Sequence, residues 1–361
     1  MFSMARKTYA LRPAFMKEKM SRCQGQVLQK VTNIPLHNNC AISSKTCGVD
    51  FRAVSRLSLA MPRKRCIVTG GAGFIASHLV DLLVREGHQV VIIDNLSTGR
   101  PENINLGAEF HQVDIRDVTA MAPLFRECDW VFHGAAWPRI QPSFDDPVTH
   151  ESINVIGTIN CLMAARDHGV SRFLYFGSSA VYGTPDEIPT TENAAIRCYN
   201  PYALQKYNGE QYALILGERW GVPAISMRMF NVYGSRSYNE GRPNSAYSPV
   251  IGIFHSQRVK GVPLTITGSG QQSRDFVHVY DVARAFLMAA ESDVSGEIFN
   301  IGRGESYSIN TIADLMSQNK SYISERPNEA AITHADISKI RKMVGWHPKI
   351  SLSEGLNLLH D

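Results

Sequence analysis

The chain has 361 residues, 44% of them hydrophobic and 19% charged, with a formal net charge of +4. No apolar run reaches the roughly 18–20 residues of a membrane helix, which predicts a soluble body of one large domain or two closely joined ones. The positive charge is concentrated in residues 1–60, where ten Lys and Arg face only Glu18 and Asp50; with a surplus of +8 there, the remainder is net acidic at −4. That balance argues against nucleic acid as a partner, because such binding rests on clustered cations.

Residues 1–60 show neither helical periodicity nor strand alternation. They are basic and acid-poor, with hydroxyl residues such as Ser43, Ser44, Thr46, Ser55 and Ser58. This composition suits an organelle transit peptide. The alternative is an incidental or disordered extension upstream of Met61, where "MPRKRCIVTGGAG" would itself make a natural start. The expected location is the cytoplasm or, with a working leader, an organelle. The seven cysteines (Cys23, Cys40, Cys47, Cys66, Cys128, Cys161 and Cys198) form no C-x-x-C pair and no cluster with zinc spacing. They read as buried or incidental thiols of a reducing compartment, and no metal site is expected.

From Cys66 onward, short apolar runs alternate with amphipathic segments. Cys66–Thr69, Val90–Ile93, Glu109–His111, Trp130–His133, Arg172–Phe176, Ala224–Met229 and Glu297–Asn300 read as strands. Ile75–Glu86 and Val155–His168 read as helices between them. The pattern predicts an α/β fold, a Rossmann-type doubly wound parallel sheet of about seven strands. Beyond Ser235 the pattern loosens, with Gly, Pro, Ser and Tyr frequent. The predicted organisation is a dinucleotide-binding domain over 61–234, completed by about 271–300, with a smaller substrate-covering lobe from 235–270 and 301–361.

After the first strand comes Gly70-Gly71-Ala72-Gly73, then a helix opening near Phe74. Glycines there allow a sharp turn and let a pyrophosphate approach N–H groups at a helix N-terminus. Ala76 replaces the third glycine of the usual fingerprint and is small enough for close helix–strand packing. Asp94, at the end of the second strand, can accept hydrogen bonds from both ribose hydroxyls of NAD and would repel the 2′-phosphate of NADP. The nearest following base, Arg100, is poorly suited to clamp that phosphate, so NAD is the expected cofactor.

A second stretch, "FGSSAVYG" (Phe176–Gly183), ends a strand and precedes "NPYALQK" (Asn200–Lys206). Tyr202 and Lys206 are spaced i, i+4 and share a helix face. With Ser178 they form an acid–base set. An unperturbed phenol has a pKa of about 10, so bringing it near neutrality takes about 4 kcal/mol. The Lys206 ammonium and a positive nicotinamide ring would favour the phenolate.

These motifs, with "RMFNVYG" (Arg228–Gly234), "RDFVHVYDVARAF" (Arg274–Phe286) and the closing "ADISKIRKMVGWHPKISLSEGL", resemble the extended short-chain dehydrogenase/reductases. The resemblance runs from about Pro62 to Leu356 and is closer still to the nucleotide-sugar epimerase/dehydratase branch. It implies NAD contacts from Gly70, Gly73, Phe74, Ile75, Asp94, Asn95, Asp114, Ile115, Ala135, Ala136, Asn154, Tyr202 and Lys206. It implies that Ser178, Asn231, Arg274 and Arg326 hold the nucleotide sugar, with Ser178, Tyr202 and Lys206 catalytic. Arg139 and Ser143 are further candidates for sugar contact, and the loop Ser235–Ser248 should shape the pocket. Dehydratases of the branch carry an Asp–Glu pair after the catalytic hydroxyl and decarboxylases a Glu; Ser179 and Ala180 stand there instead. The resemblance therefore implies 4-epimerisation of a UDP-sugar through a 4-keto intermediate, by a homodimer. Dehydratase, decarboxylase, NADH-releasing dehydrogenase and non-catalytic NAD-binding module remain the alternatives.

Overall fold

The computed structural model describes residues 62–138, 140–238, 249–325 and 330–360. The leader 1–60, Arg139, Arg326 and most of the loop Ser235–Ser248 lie outside the described residues. Strands β1 (Arg65–Thr69), β2 (Gln89–Ile93), β3 (Glu109–His111), β4 (Trp130–His133), β5 (Arg172–Ser178), β6 (Ala224–Met229) and β11 (Glu297–Ile301) form one parallel sheet. Its order is β11-β6-β5-β4-β1-β2-β3. The order reverses between β1 and β4, and in open α/β sheets ligands bind outside the strand ends at such a switch point.

Both faces of the sheet are covered, as the apolar strands require. Alternate side chains of a strand point to opposite faces. Cys66 and Val68 of β1, with Leu174 and Phe176 of β5, pack in one core with Leu79 and Leu83 of α1 (Phe74–Arg85). Ile67, Phe173 and Tyr175 enter the opposite core with Cys161 and Leu162 of α2 (Gly157–Asp167) and Ala213 of α3 (Pro201–Trp220). β5 runs two residues past the expected end because Gly177 and Ser178 still pair with Arg228 and Met229 of β6. The expected helix Val155–His168 is instead a wider turn over Ser152–Ile156 leading into α2.

A third core gathers the smaller lobe: Ile251 and Phe254 of α4 (Val250–Val259), Leu264 and Ile266 of β8 (Leu264–Thr267), and Ile309, Ile312 and Met316 from the helix Ile309–Met316. The boundary between lobes is more interleaved than the sequence pattern indicates. Tyr233 of β7 (Asn231–Tyr233) and Phe276 of β10 (Phe276–His278), which follows the short β9 (Ser273–Arg274), belong to this third core. Conversely Ile340 and Trp346, in the segment expected to be lobe, lie fully buried in the core shared by α1 and α5 (Val279–Glu291). The Trp346 indole Nε1–H donates to the Asp281 carbonyl at 3.0 Å. Among the described residues no helix is long and apolar enough to cross a membrane.

Because Trp346 is fully buried and hydrogen-bonded, Trp346→Ala should cost about 3–5 kcal/mol of stability through the cavity it leaves. Urea unfolding of parent and variant measures this; a loss under about 1 kcal/mol would mean the C-terminal segment is not integral to the nucleotide-domain core.

Candidate functional site

One cavity of about 540 Å³ opens at the switch point. It is bordered by the turn after β1, the segments after β2, β3, β4 and β5, and the start of α3. Gly70 has φ +70°, and a Cβ there would lie 2.7 Å from the Ala135 nitrogen, so glycine is required by backbone and neighbour alike. Gly73 precedes α1, whose first N–H groups have no intrahelical partner. Phe74, Ile75 and Ala76, which carry those groups, line the cavity. This cradle suits a pyrophosphate.

The buried Asp94 carboxylate accepts N–H from Ala72 at 3.0 Å and from Leu96 at 2.8 Å, fixing the glycine turn and the following loop together. Burial pushes its pKa above the usual carboxylate range, and the two backbone donors oppose that. Arg100 is spoken for: its guanidinium donates to the Tyr238 carbonyl at 2.6 Å. It ties the cofactor segment to the loop entering the smaller lobe, consistent with NAD rather than NADP. Asp114 lines the cavity, but its carboxylate is gripped by Arg116 at 2.7 and 2.9 Å and by Asn95 at 2.8 Å, which hold it down to about 2. A cradle bordered by glycine backbone, a helix N-terminus and an acidic residue fits NAD.

A buried chain of neutral groups sets the wall after β4. The Thr158 hydroxyl donates to the Asn154 carbonyl at 2.8 Å, so its oxygen accepts from His133 Nε2–H at 2.9 Å. His133 Nδ1 then accepts from the Thr69 hydroxyl at 2.8 Å, and the Thr69 oxygen accepts the Ala135 N–H at 3.2 Å. This network assigns the histidine tautomer. Burial first, then the charge of Lys206, hold His133 down to about 3, so it stays neutral. Nothing in the local sequence marks His133 beyond its place at a strand end.

Ser178, Tyr202 and Lys206 line the same cavity, beside Ser179 and Ala180. Ser178 ends β5, and its Oγ accepts the Ala180 N–H at 3.2 Å. The start of α3 is held by Asn200, whose Oδ1 accepts the Ala203 N–H at 2.8 Å, and by Pro201 at the first helical position. Ser143, a candidate for the sugar, is instead fully buried: its Oγ accepts the Tyr202 backbone N–H at 3.1 Å. It supports the helix that carries the acid–base pair.

Lys206 is 5% exposed, with Nζ 4.1 Å from the centroid of the Tyr175 ring. The Tyr175 hydroxyl donates to the Lys206 carbonyl at 3.1 Å, and α3 approaches β5 closely because residue 209 is glycine; a Cβ there would collide with that hydroxyl. Burial pushes Lys206 down to about 7, against the opposing charge of Glu210 one turn on.

Asn231 and Arg274 reach the cavity with Thr333. Asn231 Nδ2 donates to the Asp275 carbonyl at 3.0 Å and to Thr333 Oγ1 at 3.1 Å. The carboxylate of Asp275 accepts N–H from Arg303, Gly304 and Ala335 at 2.6 to 3.0 Å, binding two segments of the smaller lobe behind Arg274. Asn154 stands apart from these. It does not line the cavity; its buried amide accepts the Trp137 N–H at 2.8 Å and donates to Gln205 at 3.1 Å, so it shapes the wall from behind. Among the described residues no group of His, Cys, Asp and Glu could hold a metal ion.

Comparisons with known proteins agree with this geometry. The family described as "NAD dependent epimerase/dehydratase" matches residues 66–302. A UDP-glucose 4-epimerase of Mycolicibacterium smegmatis is 33% identical over 306 residues, covering 81% of this chain and 96% of the relative. A UDP-glucuronic acid decarboxylase 1 of Xenopus tropicalis is 34% identical over 310 residues, covering 82% and 71%. The crystal structure of a Thermotoga maritima UDP-glucose 4-epimerase with UDP-glucose superposes with TM-score 0.77 at 33% identity, covering 82% of this chain and 97% of that one.

The buried Lys206 carries a stability signature. An amine whose pKa falls from 10.5 unfolded to about 7 folded opposes folding where it must be charged, and the penalty fades as pH rises from 7 to 10.5. The NAD-free Lys206→Met variant should therefore melt above the parent near pH 7, by a margin that shrinks toward pH 10.5. A margin independent of pH would show that Lys206 is not desolvated.

Proposed function

The chain belongs to the NAD dependent epimerase/dehydratase family, and we propose that within it the protein inverts C4 of a UDP-hexose. It is an enzyme of nucleotide sugars, with NAD as its cofactor. Gly70, Gly73, Phe74, Ile75, Asp94 and the walls at Asn95, Asp114, Ile115, Ala135 and Ala136 hold the cofactor in this reading. Asn231 and Arg274, with Arg326 from outside the described residues, hold the UDP-sugar; an arginine fork suits a diphosphate. When bound, NAD supplies the hydride acceptor and donor.

The protein's part is to bind, orient and move a proton. Tyr202 Oη takes the proton of the sugar 4-hydroxyl, with Ser178 Oγ sharing it. The ammonium of Lys206 on the same helix face favours the phenolate. After the 4-keto sugar turns over in the cavity, Tyr202 returns the proton to the opposite configuration. No net redox change results.

One observation carries the choice of epimerisation. Among the described residues the only carboxylates lining the cavity are Asp94 and Asp114, both on segments that bind the cofactor. Eliminating water across C5 and C6 needs its own acid and base, and Ser179 and Ala180 supply neither. The decarboxylase relative supports a second reading, loss of CO2 from UDP-glucuronate.

A homodimer forms in this proposal through the outer faces of α2 and α3. Met163, Leu204, Tyr212 and Ile215 there, with Ile156 just before α2, are each more than a third exposed. Exposed apolar side chains grouped on two packed helices suit an association surface.

Proton NMR of UDP-glucose, UDP-N-acetylglucosamine and UDP-glucuronate, each incubated with the protein, tests the chemistry. We expect anomeric signals of a 4-epimer to grow to an equilibrium mixture from one of the first two. Conversion of UDP-glucuronate alone to a UDP-pentose would replace epimerisation with decarboxylation. Tyr202→Phe should lower kcat by about 100- to 10,000-fold. A variant retaining a tenth of parental turnover would remove Tyr202 from the proton path. Sedimentation should show a dimer in the parent and a monomer in Ile215→Asp; an unchanged dimer would place the interface elsewhere.

A further inference from the structure

We propose that Trp137 and Ser97 form a latch across the dinucleotide groove, a bridge that must part before NAD can leave. The inference concerns the cofactor site and stands apart from which sugar chemistry the protein performs.

The topology places the bridge. β1 lies between β2 and β4, and the glycine turn Gly70–Gly73 leaves its end. Ser97 sits on the segment after β2 and Trp137 on the segment after β4. Adjacent strands lie about 4.8 Å apart, so these segments leave the sheet roughly 10 Å apart with the turn between them. The Trp137 indole Nε1–H nevertheless donates to Ser97 Oγ at 3.2 Å. The bond therefore joins the two segments that flank the glycine turn. Both residues line the cavity, together with Asp94, Thr98 and Ala136.

The two ends are built differently. The base of Trp137 is fixed, because the amide of Asn154 takes its N–H at 2.8 Å and donates to its carbonyl at 3.3 Å. His150 stands edge-on to the indole, with centroids 5.1 Å apart. The far end rests on one neutral hydrogen bond to an exposed serine. Ser97 itself belongs to a tight turn, its N–H donating to Asn95 Oδ1 at 3.0 Å after Leu96 at φ +58°. An indole anchored at its backbone and held at its tip by a single bond can swing about its side-chain torsions without disturbing the sheet. That is what admitting and then retaining a dinucleotide requires.

The test uses NADH as probe. The protein loaded with NADH is mixed with excess NAD, and release is followed by the loss of bound-NADH fluorescence under direct excitation. Trp137→Phe keeps an aromatic ring and removes the donor; Ser97→Ala removes the acceptor. Each should speed release by roughly fivefold, as for loss of one neutral hydrogen bond. The double variant should be no faster than either single one, because both delete the same bond. Ser97→Thr, which keeps the hydroxyl, should restore the parental rate and so separate the latch from general loosening of the loop. Unchanged release, additive effects in the double variant, or failure of threonine to rescue would each overturn the proposal. So would faster association with tighter binding in the single variants, which would make the bridge an obstacle.

Discussion

A buried ion pair fixes the helix on which the proposed chemistry depends. Glu210 of α3 is 1% exposed and Arg228 of β6 is 2% exposed. Arg228 grips both oxygens of Glu210, at 2.6 and 3.0 Å, while the Ser226 hydroxyl donates to the same carboxylate at 2.7 Å. Arg228 also donates to the Tyr182 hydroxyl at 2.9 Å, which donates onward to Asn300 Oδ1 at 2.7 Å. The network thus joins α3, β6, β11 and the turn after β5. Two desolvated charges do not by themselves make a fold more stable than apolar packing would, but leaving either one unpaired costs about 3–5 kcal/mol. Such a pair therefore tolerates little sliding of α3 on the sheet. Lys206 lies one turn before Glu210 and Tyr202 one turn before that, so the register of the ion pair becomes the register of the acid–base face.

Charge is handled differently on the two sides of the cavity. On the cofactor side, the chain from Ala135 through Thr69, His133 and Thr158 to Asn154 contains no formal charge, and every proton in it has an acceptor. Such a chain rigidifies backbone without the desolvation cost of ions. On the catalytic side, Lys206 has lost its water and meets the face of Tyr175 and the field of Glu210 instead. A cation over an aromatic face is stabilised by the ring quadrupole. Burial leaves that charge weakly solvated, which strengthens its influence on any neighbouring phenol.

The smaller lobe is held to the nucleotide domain by exchange rather than by a simple seam. β7 leaves β6 after a single residue, pairs with β10, and puts Tyr233 in the lobe core. Trp346 returns the compliment from the C-terminal segment, entering the core beneath α5. The Asp275 carboxylate closes the arrangement from within, gathering the N–H groups of Arg303, Gly304 and Ala335 next to Arg274. A cavity wall drawn from both parts follows from this interleaving.

What the sequence determined by itself was mostly local. The apolar runs marked the seven strands almost to the residue, because each buried strand must be apolar along its own length. The turn Gly70–Gly73, Asp94 and the Tyr202–Lys206 spacing were readable for the same reason: a helix or a sharp turn imposes its period on neighbours in the chain. Tertiary structure alone decided what distant residues do to one another. Asn154 and Ser143 looked like site residues by position, yet packing turned their polar atoms onto Trp137, Gln205 and Tyr202. His133, Ser97 and Trp137 carried no local pattern, since their partners lie 25 to 64 positions away. The place of Trp346 is likewise unmarked in the local sequence, because its burial is settled by the shape of the space beneath α5. Periodicity reports what a residue must do for its own element; contacts made across the sheet exist only once the sheet has formed.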